Sequence, residues 1–232
     1  MKLSTLIFFL LFFADCYSQE IIINETFSNN ENKWFEGTEG GNVYEIDSGM
    51  YHIKATGAFR PVEFKGTLSK AFYISCIARL TSFTTASSVG FFLSNSKKNE
   101  PALYFVLNPA GLYSIFMRRN SETIPVVRWT SSEYIFKADT FNTISVSSDS
   151  ASMHLYINDF RVSSFSPPIY NFISAGLAVF DSSVADFDEL FLVSYPHQEE
   201  KFGIDPFSME EAINYLIRSA EKGFSEIQGQ PL

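Results

Sequence analysis

Residues 101–119, PALYFVLNPAGLYSIFMRR, read as two β-strands joined by a tight turn. Leu103, Phe105 and Leu107 alternate with Tyr104 and Val106, a period of two rather than 3.6. Asn108-Pro109-Ala110-Gly111 carries turn chemistry: Asn initiates, Pro presets φ at the second position, and Gly closes. The alternation resumes from Leu112 to Arg119 with apolar side chains on both faces, so the hairpin belongs in the middle of a sheet.

Working outward from this hairpin, the same signals recur. Ile21 to Phe27 is a β-branched strand, and Val43 to Asp47 and Met50 to Ala55 form a hairpin around Ser48-Gly49. Ala58 to Phe64 is an edge strand, because Pro61 removes a ladder donor. Ala71 to Phe83 and Ser87 to Ser94 precede the hairpin; Ile124 to Thr130, Glu133 to Phe136, Asn142 to Ser147 and Ser152 to Asn158 follow it. Asn158-Asp159 suits a two-residue turn with positive φ, returning the chain through Phe160 to Phe165. Ser174 to Phe180 and Ala185 to Val193 complete the series. Short strands separated by turn signals predict an all-β fold, a two-sheet antiparallel jelly-roll sandwich over residues 19–196. Residues 197–232 form a tail with one helix at about 208–222. Ser208 and Glu211 make its capping box, and Met209, Ala212, Ile213, Leu216, Ile217 and Ala220 its apolar stripe.

Composition bounds the environment. The 232 residues are 46% hydrophobic, ample for a sizeable core, and carry a net charge of −9, which argues against nucleic-acid partners and anionic membrane surfaces. Lys2 followed by the apolar Leu3 to Ala14 reads as a secretory signal peptide over 1–18, cleaved near Ser18/Gln19; the run is shorter than the roughly 20 residues that span a bilayer. A lipoprotein signal acylated at Cys16 is disfavoured by Asp15, where such signals carry a small residue. Cleavage leaves Cys76 alone, so no intramolecular disulfide forms, and its strand places it among Phe72, Ile74 and Ala78 as an inert core thiol.

Four stretches, NETF (24–27), YFVLNPAGLYSIFMRR (104–119), LYINDFRV (155–162) and ADFDELFLV (185–193), resemble the concanavalin A-like lectin/glucanase superfamily. Within it the chain is most similar to laminin-G-like and 3-keto-disaccharide-hydrolase-like domains of secreted bacterial proteins. The resemblance covers Ile21 to Tyr195 and implies two curved sheets with ligands on the concave face or at its rim. It departs from the usual pattern at Asn24-Glu25 and Asn158-Asp159.

The glucanases of this superfamily carry an E-x-D-x-x-E strand for retaining hydrolysis. The nearest string, Glu45-Ile46-Asp47, lacks the final acid, and strict alternation puts Asp186 and Asp188 on the face opposite Phe187 and Glu189. The expectation is therefore a secreted, non-catalytic binding module for carbohydrate or another extracellular ligand. The alternatives are a sugar hydrolase and an adaptor domain engaging an extracellular protein. Asp181, Asp186 and Asp188 are calcium candidates against a reading as ordinary turn caps; no other cofactor is expected. His52, His154 and His197 lack metal-ligand spacing. For the ligand, alternation sends Ser145, Ser147, His154 and Tyr156 away from the core as a polar shelf, with Trp34 and Trp129 as rim aromatics that stack sugar faces; the plainer alternative is a solvated sheet face.

Overall fold

The computed structural model describes residues 20–55, 58–63, 67–96, 101–137, 139–149 and 151–195, and every regular element among them is a strand. In chain order these are β1 (Glu20–Glu25), β2 (Gly37–Glu39), β3 (Asn42–Asp47), β4 (Met50–Ala55), β5 (Ala58–Glu63), β6 (Phe72–Ser82), β7 (Ser88–Ser94) and β8 (Ala102–Leu107). Then come β9 (Leu112–Arg119), β10 (Glu122–Ser131), β11 (Asn142–Ser148), β12 (Met153–Ile157), β13 (Phe160–Phe165), β14 (Ser174–Phe180) and β15 (Ser183–Ser194). The signal peptide expected at 1–18 and the helix expected at about 208–222 lie outside the described residues.

The strands form two antiparallel sheets. One has six strands in the order β10-β9-β8-β7-β14-β5; the other has nine, β13-β12-β11-β6-β15-β4-β3-β2, with β1 also paired to β15. The 101–119 hairpin is β8 and β9, and β8 sits centrally with all six residues buried. Its turn uses each residue as the sequence implies. Gly111 takes φ +83°, and the Asn108 side-chain oxygen accepts from the amides of Ala110 (3.0 Å) and Leu112 (2.9 Å). The Asn158-Asp159 turn has φ +48° and +70°, and β5, carrying Pro61, is an edge strand. Two details differ from expectation: residues 133–136 form no strand, and the three-residue β2 adds a hairpin to β3 through Gly40-Gly41.

The core fills the space between the sheets. Phe91, Phe105 and Leu177 from the six-stranded sheet meet Tyr51, Ile74, Ile144, Phe187 and Leu192 from the nine-stranded one. Cys76 lies in this core, fully buried, and burial pushes its thiol pKa up, as expected of an inert core cysteine. A second apolar cluster, Phe92, Ala102, Tyr104, Val106 and Ala178, lies on the other face of the six-stranded sheet, which is why β8 is apolar on both sides.

Gly90 on β7 lies opposite Val106 on β8. A Cβ there would sit against the carbonyl oxygen of Phe105, inside van der Waals contact with backbone that cannot yield. Gly90→Ala is expected to cost about 1–3 kcal/mol, read as a lower urea midpoint with an unchanged m-value; an unchanged midpoint would refute this packing.

Candidate functional site

The outward face of the nine-stranded sheet is organised by β15. Asp186 pairs across the ladders with His52 on β4 and Arg79 on β6, and Glu45 on β3 is opposite His52. These four side chains form one charged row over four strands. Asp186 is almost fully buried at its centre. His52 Nδ1 donates to Asp186 Oδ1 at 2.7 Å; Arg79 donates from Nε (2.9 Å) and stands 2.8 Å from the same Oδ2 through its second terminal nitrogen. Both carboxylate oxygens are therefore engaged, Oδ1 by His52 and Oδ2 by two nitrogens of Arg79, in charge-assisted contacts that are stronger than neutral ones. Arg79 also approaches Asp139 (3.5 Å) and lies over the Phe141 ring, 4.5 Å from its centroid. His52 Nε2 is 3.3 Å from the Asp47 carbonyl.

Below this row the β15–β6 register shifts between Phe187 and Glu189, a β-bulge at Asp188. The bulge overturns strict alternation: Phe187 and Leu190 both enter the core, while Glu189, opposite Ile77, shares the outward face with Asp186. Burial, then the charge of neighbouring Asp188, raises the Glu189 pKa.

On the side of the row away from the bulge, an open cleft of about 490 Å³ is lined by Gly40, Gly41, Asn42, Lys54, Ala55, Ser82, Ser182, Ser183 and Val184. Lys54 and Val184 are two residues from His52 and Asp186 on the same strands and pair with each other, so cleft and charged row adjoin on one face.

The expected shelf is present as a register but not as an open surface. β11 and β12 are neighbours, with Ser145 opposite Tyr156 and Ser147 opposite His154. Tyr156 and Ser145 are only 3% exposed, however, so neither faces solvent freely. Alternation fixes the face a side chain takes, not how much water that face meets. Here the rows continue across Ser75 and Tyr73 on β6 and Arg161 and Ser164 on β13, and polar groups pair within the layer. Tyr73 donates to Ser145 Oγ (3.1 Å), and His154 Nδ1 lies 2.8 Å from Ser164 Oγ.

Trp34 is also not a rim aromatic. It is buried, edge-on to Phe27, with its indole N–H donating to Glu25 Oε2 at 2.6 Å. Glu25 also accepts from the Phe27 amide and from Asn32, so the acidic first-strand motif folds the following loop inward over an aromatic floor. Trp129, by contrast, is 46% exposed. A stacked pair that the sequence did not single out, Tyr134 and Phe160 with centroids 4.1 Å apart, carries an exposed Phe160.

The calcium candidates do not converge. Asp186 is taken by Arg79 and His52, Asp181 accepts from Thr84, and Asp188 is the exposed bulge residue. Among the described residues no group of three His, Cys, Asp or Glu side chains is placed to hold a metal ion.

With this geometry in place, the chain compares with known structures as follows. It is similar to the carbohydrate binding module CBM66 from Bacillus subtilis, at 9% identity and a TM-score of 0.53, covering 78% of this chain and 98% of that one. It is similar to an endo-beta-1,3-glucanase from Pyrococcus furiosus, at 11% identity and 0.57, covering 78% and 96%. It is also similar to a Bacillus subtilis protein of unknown function with a galectin-like fold, at 10% identity and 0.55, covering 77% and 98%. The fold is thus the jelly roll of the concanavalin A-like and galectin-like sandwiches. No family model matches the sequence, and no curated protein matches it.

Two variants test the row and the bulge. Asp186→Asn removes the charge shared by Arg79 and His52 and is expected to lower stability by about 1–3 kcal/mol in urea denaturation; no loss would mean that the row is not a fixed unit. Because the Glu189 pKa is raised, the native state holds that proton more tightly than the unfolded chain, so its effect disfavours folding as pH rises above the ordinary carboxylate range. Glu189→Gln should therefore gain stability over the parent as pH rises from 4 to 8, with the smallest difference at the acid end. A pH-independent difference would remove the assignment.

Proposed function

We propose that this protein is a secreted, non-catalytic β-sandwich that binds carbohydrate on the outward face of its nine-stranded sheet. The observation that carries the reading is the buried Asp186. It holds His52 and Arg79 in fixed positions beside an open polar cleft. Sugars are recognised by rigid polar groups that match their hydroxyls, and a carboxylate bound on both oxygens supplies that rigidity. The similarity to a carbohydrate binding module and to a glucanase supports the ligand class. The Lys2-to-Ala14 pattern supports export.

The non-catalytic part rests on β15 itself. Asp186 and Glu189 have the D-x-x-E spacing of the last two acids in E-x-D-x-x-E, with a bulge bringing them to one face, but the position of the first acid is Val184. Retaining hydrolysis needs two carboxyl groups with divided roles, and Asp186 has no oxygen left uncommitted. One observation favours the second reading, a sugar hydrolase: the raised pKa of Glu189 is that of a carboxyl suited to donate a proton.

A glycan array run with a glycosidase substrate screen tests both. Binding without turnover is expected, weakened tenfold or more by His52→Ala. Turnover abolished by Glu189→Gln would establish the hydrolase instead, and neither binding nor turnover would overturn the proposal.

A further inference from the structure

We infer that the glycan taken by this face is acidic, and that its acid group, a hexuronate carboxylate or a sulfate ester, sits in the cleft beside Lys54. The inference rests on the carbohydrate-binding reading and names the ligand class for the same site.

Among the described residues lining the cleft, Lys54 is the one charged side chain and none is a carboxylate, in a chain whose net charge is −9. Lys54 is exposed and forms no ion pair among the described residues, so its ammonium is available to an incoming anion. Around it the lining is small and polar: the exposed Ser82 carries a hydroxyl that bonds hydroxyl and acid oxygens alike, beside Asn42, Ser182 and Ser183, the last turned to the Phe180 carbonyl. Gly40 and Gly41 form the β2–β3 turn with φ +58° and +84°, and nothing lies within 4 Å of where a Cβ would stand on either. Their peptide groups are therefore open to close approach by a ligand.

Three carboxylates near the cleft are compatible with an anion. Asp186, the nearest on β15, is neutralised by Arg79 and His52. Asp181 is turned to the Thr84 hydroxyl. Glu45 lies opposite His52 in the charged row, outside the cleft lining. At about 490 Å³, the cleft falls in the size range of small-ligand sites.

The test uses the full chain and titration calorimetry. The probes are oligogalacturonate, oligomannuronate and an oligoglucuronate, each beside its carboxyl-reduced neutral counterpart, and a sulfated galactan oligosaccharide beside its desulfated form. At least one acidic probe is expected to bind tenfold or more tightly than its neutral counterpart, with affinity falling as salt rises. Lys54→Gln should abolish that preference and Lys54→Arg retain it, with both melting temperatures near that of the parent because the side chain is exposed. The carboxylate and sulfate arms distinguish the two sources of charge. Equal binding of acidic and neutral partners, or a preference that survives Lys54→Gln, overturns the inference while the carbohydrate-binding reading stands. Binding to no glycan of any kind overturns both.

Discussion

The outward face depends on one irregularity, the extra residue in β15 at Asp188. A strand paired on both sides is normally held to strict alternation, because a one-residue slip would exchange its core and solvent faces. β15 is paired along its length with β6, and with β4 and β1 on its other side, yet it must put both Phe187 and Leu190 into the core. The bulge absorbs the odd residue. It leaves Asp186 in register between His52 and Arg79 and delivers Glu189 to the same face three positions on. Bulges recur where a sheet must re-aim side chains, and this one converts a structural strand into the backbone of a polar surface.

The two ends of that surface differ in character. Around Asp186 the charges are mutually satisfied and partly withdrawn from water, so the row is rigid. In the cleft beside it, Lys54 is unpaired among the described residues and the walls are small, so that end has room for a ligand. At the far side of the sheet the Ser145–Tyr156 and Ser147–His154 rows are largely buried. Polar side chains there serve chiefly one another. A rigid anchor next to an open cleft is the arrangement expected of a preorganised binding face.

Much of the fold was legible in the chain because its signals are local. Asn108 to Gly111, Asn158-Asp159, Ser48-Gly49 and Pro61 each fix a turn or an edge within a few residues, and period-two runs fill the intervals. The site was much less legible because it is assembled from residues 52, 79 and 186, which meet only through strand register. Strict alternation puts Glu189 on the wrong face, since a bulge has no marker in the alternation it interrupts. Trp34, expected at the rim, is buried by its polar neighbours: Glu25 and Asn32 draw the loop inward, and Phe27 and Tyr51 receive the ring. Tyr156 was assigned the correct face and the wrong exposure.

The position of β15 has a consequence for how the chain acquires its structure. It is the last described strand in sequence and yet lies inside the nine-stranded sheet, joining β6 to β4 and receiving β1 from the opposite end of the domain. Until residues 183–194 are available, the first four strands have no bridge to β6, and the sheet remains in two pieces with unpaired edges. Assembly is therefore tied to contacts of very long sequence separation, which slow folding because loop closure precedes the contacts that reward it. Synthesis from the N-terminus cannot complete the sandwich stepwise. The sandwich stays open until residues 183–194 are made, and the strand edges left unpaired until then are templates for the wrong partner.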